Sequence, residues 1–249
     1  MYVFFIKEIY DLINFKIKMK ISYNWLKSYI SEIPEPKKLV DIFTYHLCEV
    51  ESVIPLLSGE GQGGEVVDTI FDINILPNRA HDLLSHRGIA FELASLLDIK
   101  FVDPAPKYKI PSPPVGGGMP EGRGGGSLQI KVESEKCRRY MGRIVRNIKI
   151  GPSPDWVRKY LESIGQRSIN NIVDAANIVM YDCGQPIHCF DLDKVKSGLI
   201  IREAKEGEQI ITLDNKEVKL KTRDLVIADE ENVLAIAGIK GGKIAEVDK

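Results

Sequence analysis

Residues Asn170 to Asp191 read NNIVDAANIVMYDCGQPIHCFD. Apolar Ile172, Val173, Ala176, Val179 and Met180 recur at helical spacing, which predicts a helix from about Ile172 to Asp182. Asn170 or Asn171 is its expected cap, because a short side-chain oxygen can accept from the open amides of the first turn. Gly184 ends the helix, and Gln185-Pro186 sends the chain out extended. His188 then falls just past the helix, on a rigid turn that can point back at Asn177. Asn170, Asn171, Asp174, Asn177, Gln185 and His188 put more polar groups into one segment than a plain core element needs. A helix face and a loop that converge polar groups on one spot make a small pocket.

The second unit around this stretch covers residues 128–249. LQIKV and RYMGRIVRNIKI look like strands. Ser153-Pro154-Asp155 starts a helix: a cap, a proline at the first position, and an acid near the positive helix end. That helix, DWVRKYLESIG, stops at Gly165. Beyond Asp191, the segments LIIREA, EQIITLD, KEVKLK, DLVIAD and NVLAIAG read as strands, and Asp214-Asn215 suits a tight hairpin. The closing AIAGIKGGKIAEVDK is a strand, a glycine turn and the start of something new, so the chain is expected to be cut inside a domain.

A first unit precedes it over residues 19–102. KISYNWLKSYI gives a short strand or turn and then a helix, and Pro36 opens a second helix that runs to His46. CEVESVIPLL and EVVDTIFDINIL read as an antiparallel strand pair joined by SGEGQGG, a turn or flexible loop. PNRAHD breaks the second strand, and a helix follows from Leu83 to Leu97. Residues 103–127, rich in proline and glycine, form a linker that can bury too little to fold alone. Residues 1–18 are expected to be an extension outside the fold. The fold class is α+β: a small amino-terminal α+β domain, a Gly/Pro-rich linker, and an α/β domain incomplete at its C-terminus. No internal repeat is evident.

The 249 residues carry a net charge of −1 and 44% hydrophobic side chains, ordinary for a globular protein. Near-neutral charge argues against wholesale coating of nucleic acid but leaves room for a local basic face. Residues 131–167 hold ten basic side chains against four acidic ones. They read either as a solvated strand face or as a surface for phosphates. The apolar start, MYVFFIKEIYDLINFKIK, is broken by five charges and too short to span a bilayer; no signal-peptide pattern is visible. No membrane partner is expected.

Cys48, Cys137, Cys183 and Cys189 form no CxxC pair, and Cys183, His188 and Cys189 lack a fourth metal ligand at matching spacing. No metal is expected; reduced thiols of a cytosolic protein fit better. Gly238, Gly241 and Gly242 fail the phosphate-loop frame, since no Ser or Thr follows Lys243. They read instead as a tight turn whose backbone at Ala237-Gly238 a ligand can approach. His46, His81 and His86 have no carboxylate-and-nucleophile setting, and Asn78, Arg79 and Asp82 look like a structural turn network.

Four segments, in order, resemble the beta chain of bacterial phenylalanyl-tRNA synthetases. MKISYNWLKSYI resembles that chain's start. ILPNRAHDLLSHRGIAFELASLL resembles the family's PNRPDCLS and GIARELAAL. NNIVDAANIVMYDCGQPIHCFDLDKV resembles NNVVDVTNYVM and GQPMHAFDLDKV, and AIAGIKGG resembles LAGVMGG. The resemblance spans residues 19–249 and covers roughly the amino-terminal third of such a chain.

The resemblance implies that the second unit is an editing domain that hydrolyses tyrosine wrongly attached to the phenylalanine tRNA. It implies Asn177, His188, Ala237 and Gly238 as pocket residues. Ala176 joins them, standing where the family often has Thr; the change removes a hydroxyl and widens the pocket. The family's acid for the tyrosine hydroxyl would lie beyond Lys249, so this stretch alone is expected to be inactive. The oligonucleotide-binding fold that many bacterial beta chains insert in the first unit is absent here, which leaves the basic 131–167 face for RNA contact. Implied partners are the synthetase alpha chain and tRNA(Phe), in a cytoplasmic heterotetramer. ATP and Mg2+ are implied for the complete synthetase, with no cofactor in this stretch. The alternative is a non-catalytic module that binds tRNA or scaffolds the alpha chain.

Overall fold

A computed structural model describes residues 17–58, 64–103 and 128–247. Its contacts divide into two compact units. One holds residues 17–103 with 151–187; the other holds 128–150 with 188–247. The linker and nearly all of the SGEGQGG turn lie outside the described residues.

The first unit contains β1 (Ile17–Ser22), α1 (Tyr23–Lys27), α2 (Pro36–Ile42) running into a wide turn at Phe43–Leu47, β2 (Glu49–Leu57), β3 (Val66–Ile75), α3 (Ala80–Leu83), α4 (His86–Leu97), α5 (Asp155–Ser163) and α6 (Asn171–Cys183). The strands form an antiparallel sheet in the order β1-β3-β2. β1 begins at Ile17, pairing with Ile75, so it reaches two residues into the stretch read as an extension. The sheet and helices close over Ile21, Trp25, Leu26, Phe43, Phe71 and Leu93.

Short-range signals set most of the helix ends. Ser22 caps α1 by accepting from the Trp25 amide at 3.0 Å, and Ser85 caps α4 by accepting from the Gly88 amide at 2.9 Å. Ser85 is extended, so the helix predicted from Leu83 starts only at His86, and Leu83 closes the separate short helix α3. Asn170 caps α6, accepting from Ile172 and Val173, and Gly184 ends it at φ 75°.

At α5 the cap reading fails. Pro154 occupies the N-cap and no side chain caps the helix. The Ser153 hydroxyl donates instead to Asp174 at 2.5 Å. The carboxylate of Asp174 is fully buried and also accepts from the Ser168 hydroxyl (2.5 Å) and the Ile169 amide (2.9 Å). A buried carboxylate without such donors would be costly, which is why Ser153 is drawn to it.

The second unit contains β4 (Gln129–Val132), β5 (Gly198–Glu203), β6 (Gln209–Ile211), β7 (Glu217–Lys219), β8 (Leu225–Ala228), β9 (Val233–Ile236) and β10 (Lys240–Gly241). Five strands form a sheet ordered β10-β9-β8-β5-β4, in which only β4 and β5 run parallel. The β6–β7 hairpin turns at Asp214-Asn215 as expected, with Asn215 at φ 59°. Leu199, Ile201, Ile227 and Leu234 form one core cluster, and Ile210, Leu220, Val226 and Val233 another.

RYMGRIVRNIKI is not a strand. Residues 139–150 make no ladder, and Asn147 takes φ 59°. The segment packs through side chains: a Cβ at Gly142 would lie 2.9 Å from Ile130 Cδ1 on β4. Contact at side-chain distance keeps the two backbones too far apart to share hydrogen bonds.

Candidate functional site

His188 and the glycine turn lie together in the second unit. The turn runs from Ile236 to Ile239, whose amide donates to the Ile236 carbonyl at 3.1 Å. Gly238 is its third residue, at φ 71°, a region where a side chain is strained. Among the described residues, its own chain neighbours aside, no atom lies within 4 Å of the position a Cβ would take there. Glycine is therefore favoured at 238 for backbone conformation, and the turn's outer surface is open.

Two neighbouring amides differ. The Ala237 N–H donates to the Leu225 carbonyl at 2.9 Å, so the sheet consumes it. The Gly238 N–H has no hydrogen-bond partner among the described residues.

Gly241, on β10, seats His188. A Cβ added there would overlap His188 Cε1 and lie 2.9 Å from Nε2, with Leu213 Cδ1 at 3.0 Å. Any larger residue would have to displace the ring. The Gly241 carbonyl accepts from the Leu213 amide at 3.0 Å, which ties the seat to the end of the β6–β7 hairpin. Gly242 is constrained by packing too, since a Cβ there would meet the Leu234 carbonyl. Glycines that crowd a sheet in this way do not cradle a phosphate, which accords with the failed loop motif.

The His188 ring meets Phe190 edge-on, with centroids 4.5 Å apart at 70°. Much of the residue is open to solvent, yet the water its ring loses to its neighbours lowers its pKa from the ordinary 6.5. The imidazole is neutral at pH 7. Burial pushes the adjacent Cys189 thiol up, away from thiolate chemistry.

Asn177 and Ala176 lie on α6 in the first unit, both half-buried. α6 is held at several points there. Tyr29 Oη and Trp25 Nε1 donate to one oxygen of Asp182 at 2.5 and 2.9 Å. Ser22 N donates to His86 Nε2 at 3.1 Å, so Nε2 is the acceptor and Nδ1 carries the proton to the Tyr181 carbonyl at 2.9 Å. His86 is fully buried, stacks on Trp25 at 3.9 Å, and has its pKa pushed down to about 4 by desolvation.

The turn network at PNRAHD is structural as read. Arg79 donates to Asp82 through Nε and Nη2 and reaches Glu92 at 3.2 Å. Gln185 is exposed, and the Cys183 thiol donates to the Val179 carbonyl. Among the described residues no group of three or more His, Cys, Asp or Glu side chains is placed to hold a metal ion, and no helix is long and apolar enough to cross a membrane.

Sequence reading missed the roles of Gly241 and Phe190. The signal for Gly241 was present, a glycine pair set between Lys240 and Lys243, but its partner His188 is more than fifty residues away.

Comparison with known proteins adds an independent line. Residues 136–249 match the model of the B3/4 domain family. The chain is 42% identical over 191 residues to the phenylalanine-tRNA ligase beta subunit of Anaeromyxobacter dehalogenans, covering 75% of this chain and 22% of that one. It is 36% identical over 234 residues to that of Rhodopirellula baltica, covering 92% and 31%. Against that of Aquifex aeolicus it is 43% identical over 175 residues, covering 70% and 21%. The chain thus spans between about a fifth and a third of the length of these curated relatives. A solved N-terminal fragment of the phenylalanyl-tRNA synthetase beta-subunit from Pyrococcus horikoshii superposes at a TM-score of 0.47 with 18% identity, over 94% of this chain and 65% of that one.

Proposed function

We propose, for a chain that belongs to the phenylalanine-tRNA ligase beta-subunit family, that it forms the amino-terminal part of such a beta chain and carries a pocket that hydrolyses mischarged Tyr-tRNA(Phe). The proposed pocket residues are His188, Asn177, Ala176, Ala237 and Gly238. The observation that carries the reading is the seating of the His188 ring against Gly241, three residues along the chain from an open turn with an unspent amide.

The need for such a pocket is chemical. A synthetic site shaped for phenylalanine rejects an isostere with one more hydroxyl by only about a hundredfold. A second site that hydrogen-bonds that hydroxyl selects tyrosine, because phenylalanine would leave its buried polar groups unpaired.

In the proposed reaction, water attacks the carbonyl carbon of the tyrosyl ester. The neutral imidazole of His188 accepts a hydrogen bond and aims that water. Negative charge gathers on the carbonyl oxygen, where the Gly238 N–H is the available donor. The bond from the carbonyl carbon to the ribose oxygen then breaks, and the ribose oxygen takes up a proton, leaving tyrosine and uncharged tRNA. Placement of water supplies most of the rate, since no side chain in the set is a strong base. Ala237 contributes smallness rather than a donor, its N–H being spent on Leu225. Ala176 leaves room where the family often carries a hydroxyl.

Activation of phenylalanine with ATP and Mg2+ we assign to the alpha chain, with tRNA(Phe) as the shared substrate, in the cytoplasm. The test is deacylation of Tyr-tRNA(Phe) by the alpha–beta complex. His188→Ala is expected to slow it by about a hundredfold or more, the lower end of the range for a positioned polar group. Equal rates would remove His188 from the mechanism.

A further inference from the structure

Ten basic residues between positions 131 and 167 drew attention in the sequence, and the structure sorts them. Lys131 pairs with Glu133, Lys136 with Glu203 and Arg158 with Asp155. Arg158, Lys159 and Arg167 belong to the first unit. In the second unit, Arg138, Arg139 and Arg143 are exposed, and their guanidinium groups have no ion-pair or hydrogen-bond partner among the described residues. All three lie in residues 138–149, which contain five basic side chains and no acidic one.

This ribbon alternates. Tyr140, Gly142 and Ile144 are half-buried against the second unit, with Tyr140 packed on its core and Gly142 on Leu128 and Ile130. The residues between them, Arg139, Met141, Arg143 and Val145, are exposed. Met141 is 73% exposed and Val145 65%. In extended chain, Arg139 and Arg143 stand about 13 Å apart with Met141 midway. The outer face therefore presents cation, apolar group, cation, apolar group.

We infer that the ribbon 138–149 binds an unpaired RNA strand, its arginines on successive phosphates and Met141 and Val145 against unstacked bases. Three cations without counter-ions match a polyanion. The apolar side chains decide which polyanion. A duplex hides its base faces and offers phosphate alone, so Met141 and Val145 would be left facing water. An unpaired strand gives them base faces to cover, as in single-strand sites that combine a charged track with apolar contacts. The inference deepens the proposed function by naming the structural class of RNA that the chain grips. It rests on that reading for its substrate, while its test involves no ester chemistry.

The experiment is equilibrium binding of the 249-residue chain to a twelve-nucleotide unstructured RNA, a hairpin duplex with the same number of nucleotides, and polyglutamate, each over a range of salt. The single strand is expected to bind at least tenfold more tightly than the duplex. Replacing Arg138, Arg139 and Arg143 together by Ser should reduce the log–log salt slope by about 2, from about 0.7 per lost phosphate contact. Met141→Ser should weaken binding several-fold with the slope unchanged. An unaltered slope in the arginine variant would overturn the assignment. Equal binding of duplex and single strand, or polyglutamate binding as tightly as RNA, would overturn it as well. If binding behaves as expected while Tyr-tRNA(Phe) is not hydrolysed, the ribbon stands and the editing reading falls.

Discussion

The ring of His188 occupies the space that a side chain at Gly241 would fill. Two residues more than fifty positions apart therefore constrain each other: the histidine needs its neighbour to be glycine. Gly241→Ala is expected to leave the fold intact but overpacked, at a cost of about 1–3 kcal/mol. Because the ring must move, the variant should lose Tyr-tRNA(Phe) deacylation to the same degree as His188→Ala. Deacylation at the wild-type rate in a folded Gly241→Ala protein would show that the ring's position does not matter.

Gly238 makes a contrasting case. Its missing Cβ faces open space, but its φ of 71° is unfavourable for other residues. Gly238→Ala should cost about 1–2 kcal/mol through backbone strain alone. Its thermal midpoint should fall, while the neighbouring seat of His188 stays as it was. A stability unchanged or raised would mean that the turn relaxes to negative φ.

Burial of His86 makes stability depend on pH. Its pKa is about 4 when folded and near the ordinary 6.5 when unfolded. Between these values the unfolded chain binds the proton and the folded one does not, so stability rises with pH across the window. The contribution is complete above about pH 6.5 and is lost as pH falls toward 4, in total on the order of 3 kcal/mol. Urea unfolding at several pH values should show this slope in wild type and lose it in His86→Gln. An identical slope in both proteins would assign the effect to other groups.

Asp182 satisfies two donors with one oxygen. Tyr29 is buried beside it, and desolvation together with that carboxylate raises the phenol's pKa, so the phenol remains a donor. Asp182→Ala strands both Tyr29 and Trp25 and should cost about 2–4 kcal/mol. Asp182→Asn keeps an acceptor oxygen and should cost less than half as much. Equal losses in the two variants, measured by urea unfolding, would mean that these hydrogen bonds are not what matters.

Much of the fold was legible because its signals are short-range. Asn170 and Gly184 bound α6 within one turn of the residues they serve, and Asp214-Asn215 makes its hairpin from its own backbone preferences. Periodicity likewise located β2, β3 and the strands from β5 to β9, since alternation reflects the pleat itself. The four motif segments are local in sequence and point to the family by themselves.

Partner assignment was not legible. Ser153 has the sequence of a helix cap, yet it donates to a carboxylate twenty-one residues away, because leaving Asp174 unsatisfied costs more than an uncapped helix. Residues 139–150 alternate like a strand, yet Gly142 meets Ile130 by side chain and no ladder forms. Ala237 and Gly238 are adjacent and equivalent in sequence, but only one N–H remains unspent once β8 and β9 have met. Sequence alone determined most of the elements, many of their ends and the family, all properties of neighbouring residues. Tertiary structure alone decided which donors, cations and glycines were already committed, because each commitment depends on which distant segments meet.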